Sequence, residues 1–245
     1  MLAVAQVDDD VVVVQTMDGK ASGLNASSGE ILWSYVTSVP SLTLRTSASP
    51  LLENGTAYLA FANGKLVAVN QRNGLLLWEQ QVSFPQGRNE LERLINFDGK
   101  PLSLGNDLYV ASYQGNAASI DKVRGRVQWD VRVSALGQLA AAEGNLYLTQ
   151  SDDSVIALKM ANGRLLWENR HMSNRRITAP VVLGEYVVVA DGEGYLHIMH
   201  QSDGTFAGRE HLWRDSVRNP LLSDGEILYV LTDKGKLRAF RLELP

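Results

Sequence analysis

The chain has 245 residues, of which 45% are hydrophobic and 20% charged, and a formal net charge of -4. This is the composition of an ordinary globular protein, and its acidic balance provides no general attraction for nucleic acid. The absence of cysteine excludes disulfides, zinc-thiolate sites and thiol catalysis, and no apolar run approaches the roughly 18 residues of a transmembrane helix.

The chain begins with two predicted strands, separated by a turn at Asp8 to Asp10, and then enters a repeated frame. The frame has a turn residue, a glycine ten residues later and a tryptophan four residues after that. Four copies fit without a gap: "MDGKASGLNASSGEILW" (17–33), "ANGKLVAVNQRNGLLLW" (62–78), "YQGNAASIDKVRGRVQW" (113–129) and "SDDSVIALKMANGRLLW" (151–167). A fifth copy has Gly208 in place of tryptophan, and a sixth, from 233, stops early.

Each frame predicts two strands, and two further short apolar runs precede it. Four short strands in about forty residues are typical of a β-propeller blade, in which the tryptophan covers the neighbouring blade. The sequence therefore predicts an all-β fold without helices, apart from about one turn near 88–94. The chain is read as one propeller domain, 1–245, with units at about 1–36, 47–82, 98–133, 135–170, 177–211 and 218–245.

The sixth unit lacks an outer strand, and the first offers no spare strand to complete it. We therefore expect an incomplete propeller of about five and a half blades. A closed six-bladed ring with one three-stranded blade is the alternative.

The spacing of the frames locates two inserted segments. Successive turn positions differ by 45, 51, 38, 41 and 41 residues, so the connectors at 37–46 and 83–97 are lengthened. Both join an outer strand to the inner strand of the next blade, which places them on the same face. Insertions of this kind often carry the binding features of repeat proteins.

The two connectors combine apolar and charged residues. The first carries Leu42, Leu44 and Arg45; the second and its end carry Glu90, Glu92, Arg93, Leu94, Ile95, Phe97 and Asp98. In one interpretation, the leucines pack under the longer connector and Arg45 pairs with Glu92 or Asp98. In the other, the leucines and Arg45 contact a partner. The residues alone leave both open.

Catalytic, metal and cofactor sites find little support in the sequence. His197 and His200 are three residues apart on a strand and should point to opposite faces. The aspartates at 8–10 lack the spacing of a calcium loop, and "GEG" (192–194) falls in a repeat turn. We therefore expect no enzyme, no metal and no cofactor.

The frames resemble the pyrroloquinoline-quinone-type propeller repeat, and the whole chain resembles the C-terminal portion of the BamB family. The resemblance includes "PSLTLR" (40–45), "NELERLINFD" (89–98) and "DKGKLRAF" (233–240). It implies part of an eight-bladed, non-enzymatic scaffold of the outer-membrane β-barrel assembly machinery. In this family the two connectors dock a POTRA domain of BamA. The corresponding partner-binding residues are Leu42, Leu44, Arg45, Asn96 and Asp98, and Asn96 departs from the family's acidic pattern.

The resemblance also implies a place in the cell and further partners. Family members lie at the periplasmic face of the outer membrane as lipoproteins, whereas this chain has neither a signal segment nor a lipidation cysteine. Nascent outer-membrane proteins are a second class of expected partner, and nucleic acid is not one. The alternatives are a quinone-dependent dehydrogenase propeller and a generic propeller adaptor with another partner.

Overall fold

A computed structural model describes residues 4–44, 48–212, 215–218 and 220–241. They fall into two compact units, Met1–Ala135 and Leu136–Pro245. All regular elements in the described part of the chain are β-strands. The predicted all-β class is confirmed. No helix among these residues has the length and apolar character to span a bilayer.

The first unit contains three four-stranded antiparallel sheets, each with its strands in chain order. We call each sheet a blade and number the blades along the chain. Their strands are β1 (Gln6–Asp8), β2 (Val11–Gln15), β3 (Lys20–Asn25) and β4 (Ile31–Val36); β5 (Leu51–Glu53), β6 (Thr56–Ala60), β7 (Lys65–Asn70) and β8 (Leu76–Gln81); and β9 (Leu102–Leu104), β10 (Asp107–Ala111), β11 (Gly115–Asp121) and β12 (Val127–Val133).

The second unit continues the pattern, with β13 starting one residue before the unit boundary. The fourth and fifth blades have four strands, and the sixth has three among the described residues. Their strands are β13 (Ala135–Ala142), β14 (Asn145–Gln150), β15 (Val155–Lys159) and β16 (Leu165–Asn169); β17 (Val181–Leu183), β18 (Tyr186–Ala190), β19 (Tyr195–His200) and β20 (Phe206–His211); and β21 (Leu222–Ser223), β22 (Ile227–Leu231) and β23 (Leu237–Arg241).

The second and third strands of the blades form the core, because their apolar side chains pack against the next blade. Phe61 and Val67 lie in a buried cluster between the first two blades, and Leu66 and Leu108 in one between the second and third. In the second unit, Met199 packs towards the fourth blade and Ile198 towards the sixth. Alternate residues of one strand thus face opposite neighbours.

In the first, second and fourth blades, the frame tryptophan joins its blade to the next. The indole nitrogen donates to a backbone oxygen of the following blade: Trp33 to Gln71 at 2.7 Å, Trp78 to Lys122 at 2.9 Å and Trp167 to Gln201 at 2.8 Å. The ring lies over the tenth-position glycine of that blade, at Gly74, Gly125 and Gly204 respectively. The predicted contact between tryptophan and the neighbouring blade is confirmed for these three rings.

The contact leaves no room for a side chain beneath the ring. A Cβ at Gly74 would lie 2.7 Å from two atoms of Trp33, whereas one at Gly29 would meet nothing within 4 Å. Both glycines are at the tenth frame position and have nearly the same φ, +71° and +73°. The difference between the two sites is the Trp33 ring, which lies over Gly74 and has no counterpart over Gly29.

We predict that Gly74→Ala is clearly more destabilising than Gly29→Ala. A left-handed conformation costs an alanine about 1 to 2 kcal/mol at either site. Overpacking against Trp33 should add about 1 to 3 kcal/mol at Gly74 alone. Urea unfolding of the two variants compares them within one unit. Equal losses would show that the indole contact is not tight.

Candidate functional site

The first lengthened connector follows β4 and is fastened to the turn of the second blade. The Asn63 side chain donates to Thr37 Oγ1 at 3.1 Å and to the Ser38 carbonyl at 2.8 Å. Beyond this attachment Leu42 is 39% exposed and Leu44 is half-buried. Arg45, the third predicted contact residue, lies outside the described residues.

The second lengthened connector is folded around a single turn. Arg93 N donates to the Asn89 carbonyl at 3.2 Å, and the Asn89 side chain accepts from Glu92 N at 2.9 Å. The Glu92 carboxylate in return accepts from Arg88 N at 2.7 Å and from Asn89 Nδ2 at 2.8 Å. These reciprocal bonds resemble a helix capping box. The predicted turn near 88–94 is confirmed.

The third blade also supports this connector. With its amide nitrogen facing the connector, the Gln114 side chain donates to the Leu91 carbonyl at 3.2 Å and the Glu92 carbonyl at 2.9 Å. Arg132 on β12 donates to the Gln86 side chain at 3.2 Å. The connector is therefore held both by its own turn and by the sheet behind it.

The two connectors meet around a small cavity of about 220 Å³. Its lining comes from both: Pro40, Ser41 and Leu42 on one side, and Pro85, Glu90 and Arg93 on the other. The predicted juxtaposition of the connectors is thus present. The prolines were not among the predicted contact residues, although a proline in each inserted segment could have signalled a rigid wall.

The end of the second connector turns inward. Asn96 forms an isolated bridge with Tyr113, whose N–H donates to the Asn96 carbonyl at 2.8 Å. Asn96 and Phe97 are each 1% exposed, and Phe97 joins the core beside Ala48 and Leu108. Asp98 is half-buried. The surface expected across 83–98 is therefore narrower than predicted, since Ile95 and Phe97 serve the core.

Other apolar side chains on the second connector remain at the surface. Phe84 is 59% and Leu91 is 66% exposed. The charged residues Glu90 and Arg93 lie at the cavity between the connectors. The arrangement offers a mixed apolar and charged surface of the kind used to bind another protein.

In the described part of the chain, no group of three or more histidines and carboxylates is placed to hold a metal ion. His197 and His200 do face differently, the first buried and the second partly exposed. The turn at 192–194 lies between β18 and β19, at the same place as the turns of the other blades.

Comparison with known proteins identifies the family of the chain. Residues 1–169 match the family model described as "Outer membrane protein assembly factor BamB". The BamB of Pseudomonas aeruginosa is 43% identical over 206 residues, which cover 84% of this chain. The chain belongs to the BamB family. It spans 54% of the length of that relative.

The solved structures agree on the fold. The crystal structure of BamB from Moraxella catarrhalis superimposes with a TM-score of 0.91 at 29% identity, covering 97% of this chain and 71% of that one. The chain therefore has the β-propeller fold of the BamB family.

Quinohemoprotein alcohol dehydrogenase from Comamonas testosteroni has a TM-score of 0.70 over 93% of this chain and 51% of its own, but only 13% identity. That likeness concerns the fold alone. The family relatives of the chain are instead named as assembly factors.

The turn in the second connector generates a prediction. Glu92→Ala removes the acceptor for Arg88 N and Asn89 Nδ2, so the connector should open more often. We expect amide exchange at Arg88 and Arg93 to accelerate by about tenfold or more, measured by hydrogen exchange and NMR. Glu90→Ala is the matched control, because Glu90 lies in the same connector and holds neither amide. An equal effect of both changes would contradict the assigned role of Glu92.

Proposed function

We propose that the chain is the portion of an outer-membrane protein assembly factor that docks a POTRA domain of BamA. The connectors 37–46 and 83–97, together with Asp98, form the docking surface. The observation that carries this proposal is the cavity that the two connectors line together. Family membership supplies the biological setting, at the periplasmic face of the outer membrane, and a role in the insertion of outer-membrane proteins.

The size of the cavity favours a protein partner. Pockets for drug-sized ligands and cofactors usually measure about 300 to 1,000 Å³. At about 220 Å³, this cavity is smaller, and it suits a side chain inserted by another protein. Its wall includes an apolar anchor residue, Leu42, and charged residues, Glu90 and Arg93, that can satisfy polar groups at the rim.

The folded state of the second connector also supports docking. Its turn and its bonds from Gln114 hold it in one arrangement before a partner arrives. Binding then costs little conformational entropy. A surface ion pair contributes only about 0 to 1 kcal/mol, so such an elaborate connector is poorly explained as a stabilising cap.

The proposed contact residues differ in their accessibility. Leu42 and Leu44 provide apolar contact, and Arg45 provides a cation suited to a buried carboxylate or aromatic ring. Asp98 is half-buried, whereas Asn96 is buried. We therefore assign Asn96 the role of fixing the end of the connector through its bridge to Tyr113.

The test is a binding titration of the 245-residue chain with the POTRA domains of BamA. Arg45→Glu, and separately Leu42→Ala combined with Leu44→Ala, should weaken binding at least about tenfold, or about 1.4 kcal/mol. The fold, followed by circular dichroism and unfolding midpoint, should change little.

Matched controls separate contact from general surface effects. Arg126→Glu changes the charge equally, and Leu75→Ala with Leu165→Ala removes two exposed leucines outside the connectors. These variants should bind normally. Normal binding by well-folded connector variants would reject the docking surface. Binding of a different assembly component, lost in the same variants, would favour the adaptor alternative.

A further inference from the structure

The fifth blade departs from the repeat on the face that packs towards the fourth blade. In the first four blades, the outer-strand residue after the frame tryptophan is neutral or acidic: Ser34, Glu79, Asp130 and Glu168. It pairs with a small or aliphatic residue on the third strand: Ser22, Val67, Ala118 and Ile156. In the fifth blade these two positions are Arg209 and His197. The outer-strand position is thus positively charged in the fifth blade, whereas three of the other four blades have a carboxylate there.

The side-chain partner of this outer-strand residue also differs in the fifth blade. In the second blade, Lys65 neutralises Glu79 at 3.2 Å, and in the third, the Asn116 amide donates to Asp130 at 2.9 Å. The corresponding residue of the fifth blade is Tyr195, and the Arg209 guanidinium lies 3.8 Å from the centre of its ring. Among the described residues, no carboxylate lies within ion-pair distance of Arg209. The ring positions the guanidinium without neutralising it.

A buried carboxylate fixes the other polar groups. Asp191 is fully buried, and its Oδ2 accepts from Arg175 Nε at 2.7 Å and lies 2.8 Å from His197 Nε2. Its Oδ1 accepts from the backbone N–H groups of Glu193 and Tyr195, each at 2.9 Å. With four polar contacts, Asp191 locks the connector residue Arg175 and the strand residue His197 in place.

The protonation states follow from this packing. Burial lowers the pKa of His197 below its usual value, against the opposing effect of Asp191, so the imidazole is neutral at pH 7. Burial alone would raise the pKa of Asp191. Hydrogen bonds from His197, Tyr195 N–H and Arg175 instead bring it below its usual value, and Asp191 is charged. Arg175 is therefore largely neutralised by Asp191 and by Glu193, 2.9 Å away.

These residues surround a cavity of about 420 Å³, within the usual size range of small-ligand pockets. Met172, 1% exposed, and the buried His197 form its interior, while His171, Phe206 and Arg209 are exposed at its edge. The centroid of the Phe206 ring lies 6.1 Å from that of His171 and 6.0 Å from that of His197. Arg175, Ala207 and Gly208 complete the lining, which contains no carboxylate among the described residues.

We propose that this pocket binds an organic carboxylate that carries an apolar group. The carboxylate meets the guanidinium of Arg209 at the mouth of the pocket, with Arg175 as a further polar neighbour. The apolar group lies against Met172 and Phe206. A monoanion fits better than phosphate, because Asp191 and Glu193 both pair with Arg175, and Arg209 is the one cation of the lining left without a carboxylate partner among the described residues. The carboxylate belongs either to a free small acid or to an acidic side chain of a bound polypeptide.

Two pairs of probes distinguish these sources in an NMR titration of the ¹⁵N-labelled chain. Phenylacetate represents the free acid, with phenylacetamide as its uncharged match. The dipeptide N-acetyl-Asp-Phe-amide represents the polypeptide, with N-acetyl-Asn-Phe-amide as its match. We expect saturable shifts at His197 and Arg209 from at least one acid and not from its amide. The acid that saturates the pocket identifies the source. Binding of neither acid at millimolar concentration would overturn the proposal.

The repeat itself supplies the decisive variant. Arg209→Glu installs the residue type found at Glu79 and Glu168, so the blade should fold normally. We expect it to weaken binding at least about tenfold. Arg164→Glu makes the same change in net charge at an exposed site outside the pocket and should leave affinity unchanged. Equal losses of affinity in both variants would show that net charge alone explains the effect, and would reject the pocket.

Discussion

The contact between the frame tryptophan and the following blade is the constraint on which the repeat depends. The indole N–H donates to a buried backbone oxygen, and the ring occupies the space above a glycine. The donor must be satisfied once it is buried, and the glycine must stay without a Cβ. Both requirements fix the distance and orientation between the first and second, the second and third, and the fourth and fifth blades. Since the blades cannot move apart, inserted residues are accommodated in the connectors.

The fifth blade shows how the same repeat accommodates the loss of its tryptophan. Four blades place a small residue of the third strand opposite tryptophan, at Gly23, Ala68, Ser119 and Ala157. The fifth places Ile198 opposite Gly208, so the large side chain has moved to the inner partner, where it packs beside Leu228. His197 and Arg209, one residue away on each strand, face the other side. The large side chain of Ile198 and the polar pair of His197 and Arg209 therefore lie at alternate positions of the two strands.

Much of this architecture could be predicted because it is local. Glycine and tryptophan spacing gave the strands, the turns and the lengthened connectors. The inward course of Ile95 to Phe97 could not be predicted in this way, because it depends on Tyr113, Ala48 and Leu108, which belong to other segments. The Asp191 cluster was missed for a related reason. His197 was considered only with His200 as a metal pair, whereas the cluster joins it to Asp191 and to Arg175 of the preceding connector. Arg209 after Gly208 was a signal in the sequence, because the other outer strands have a neutral or acidic residue there.

The turns between the second and third strands have a second role, which explains where binding features can arise. Asn63 and Gln114 hold the two lengthened connectors in the first unit. In the second unit, Asp153 accepts from the backbone N–H groups of Arg176 and Ile177, and Asp191 holds Arg175. In each case a side chain of such a turn anchors a connector. Both proposed binding surfaces, each within its own unit, are built at this edge of the blades.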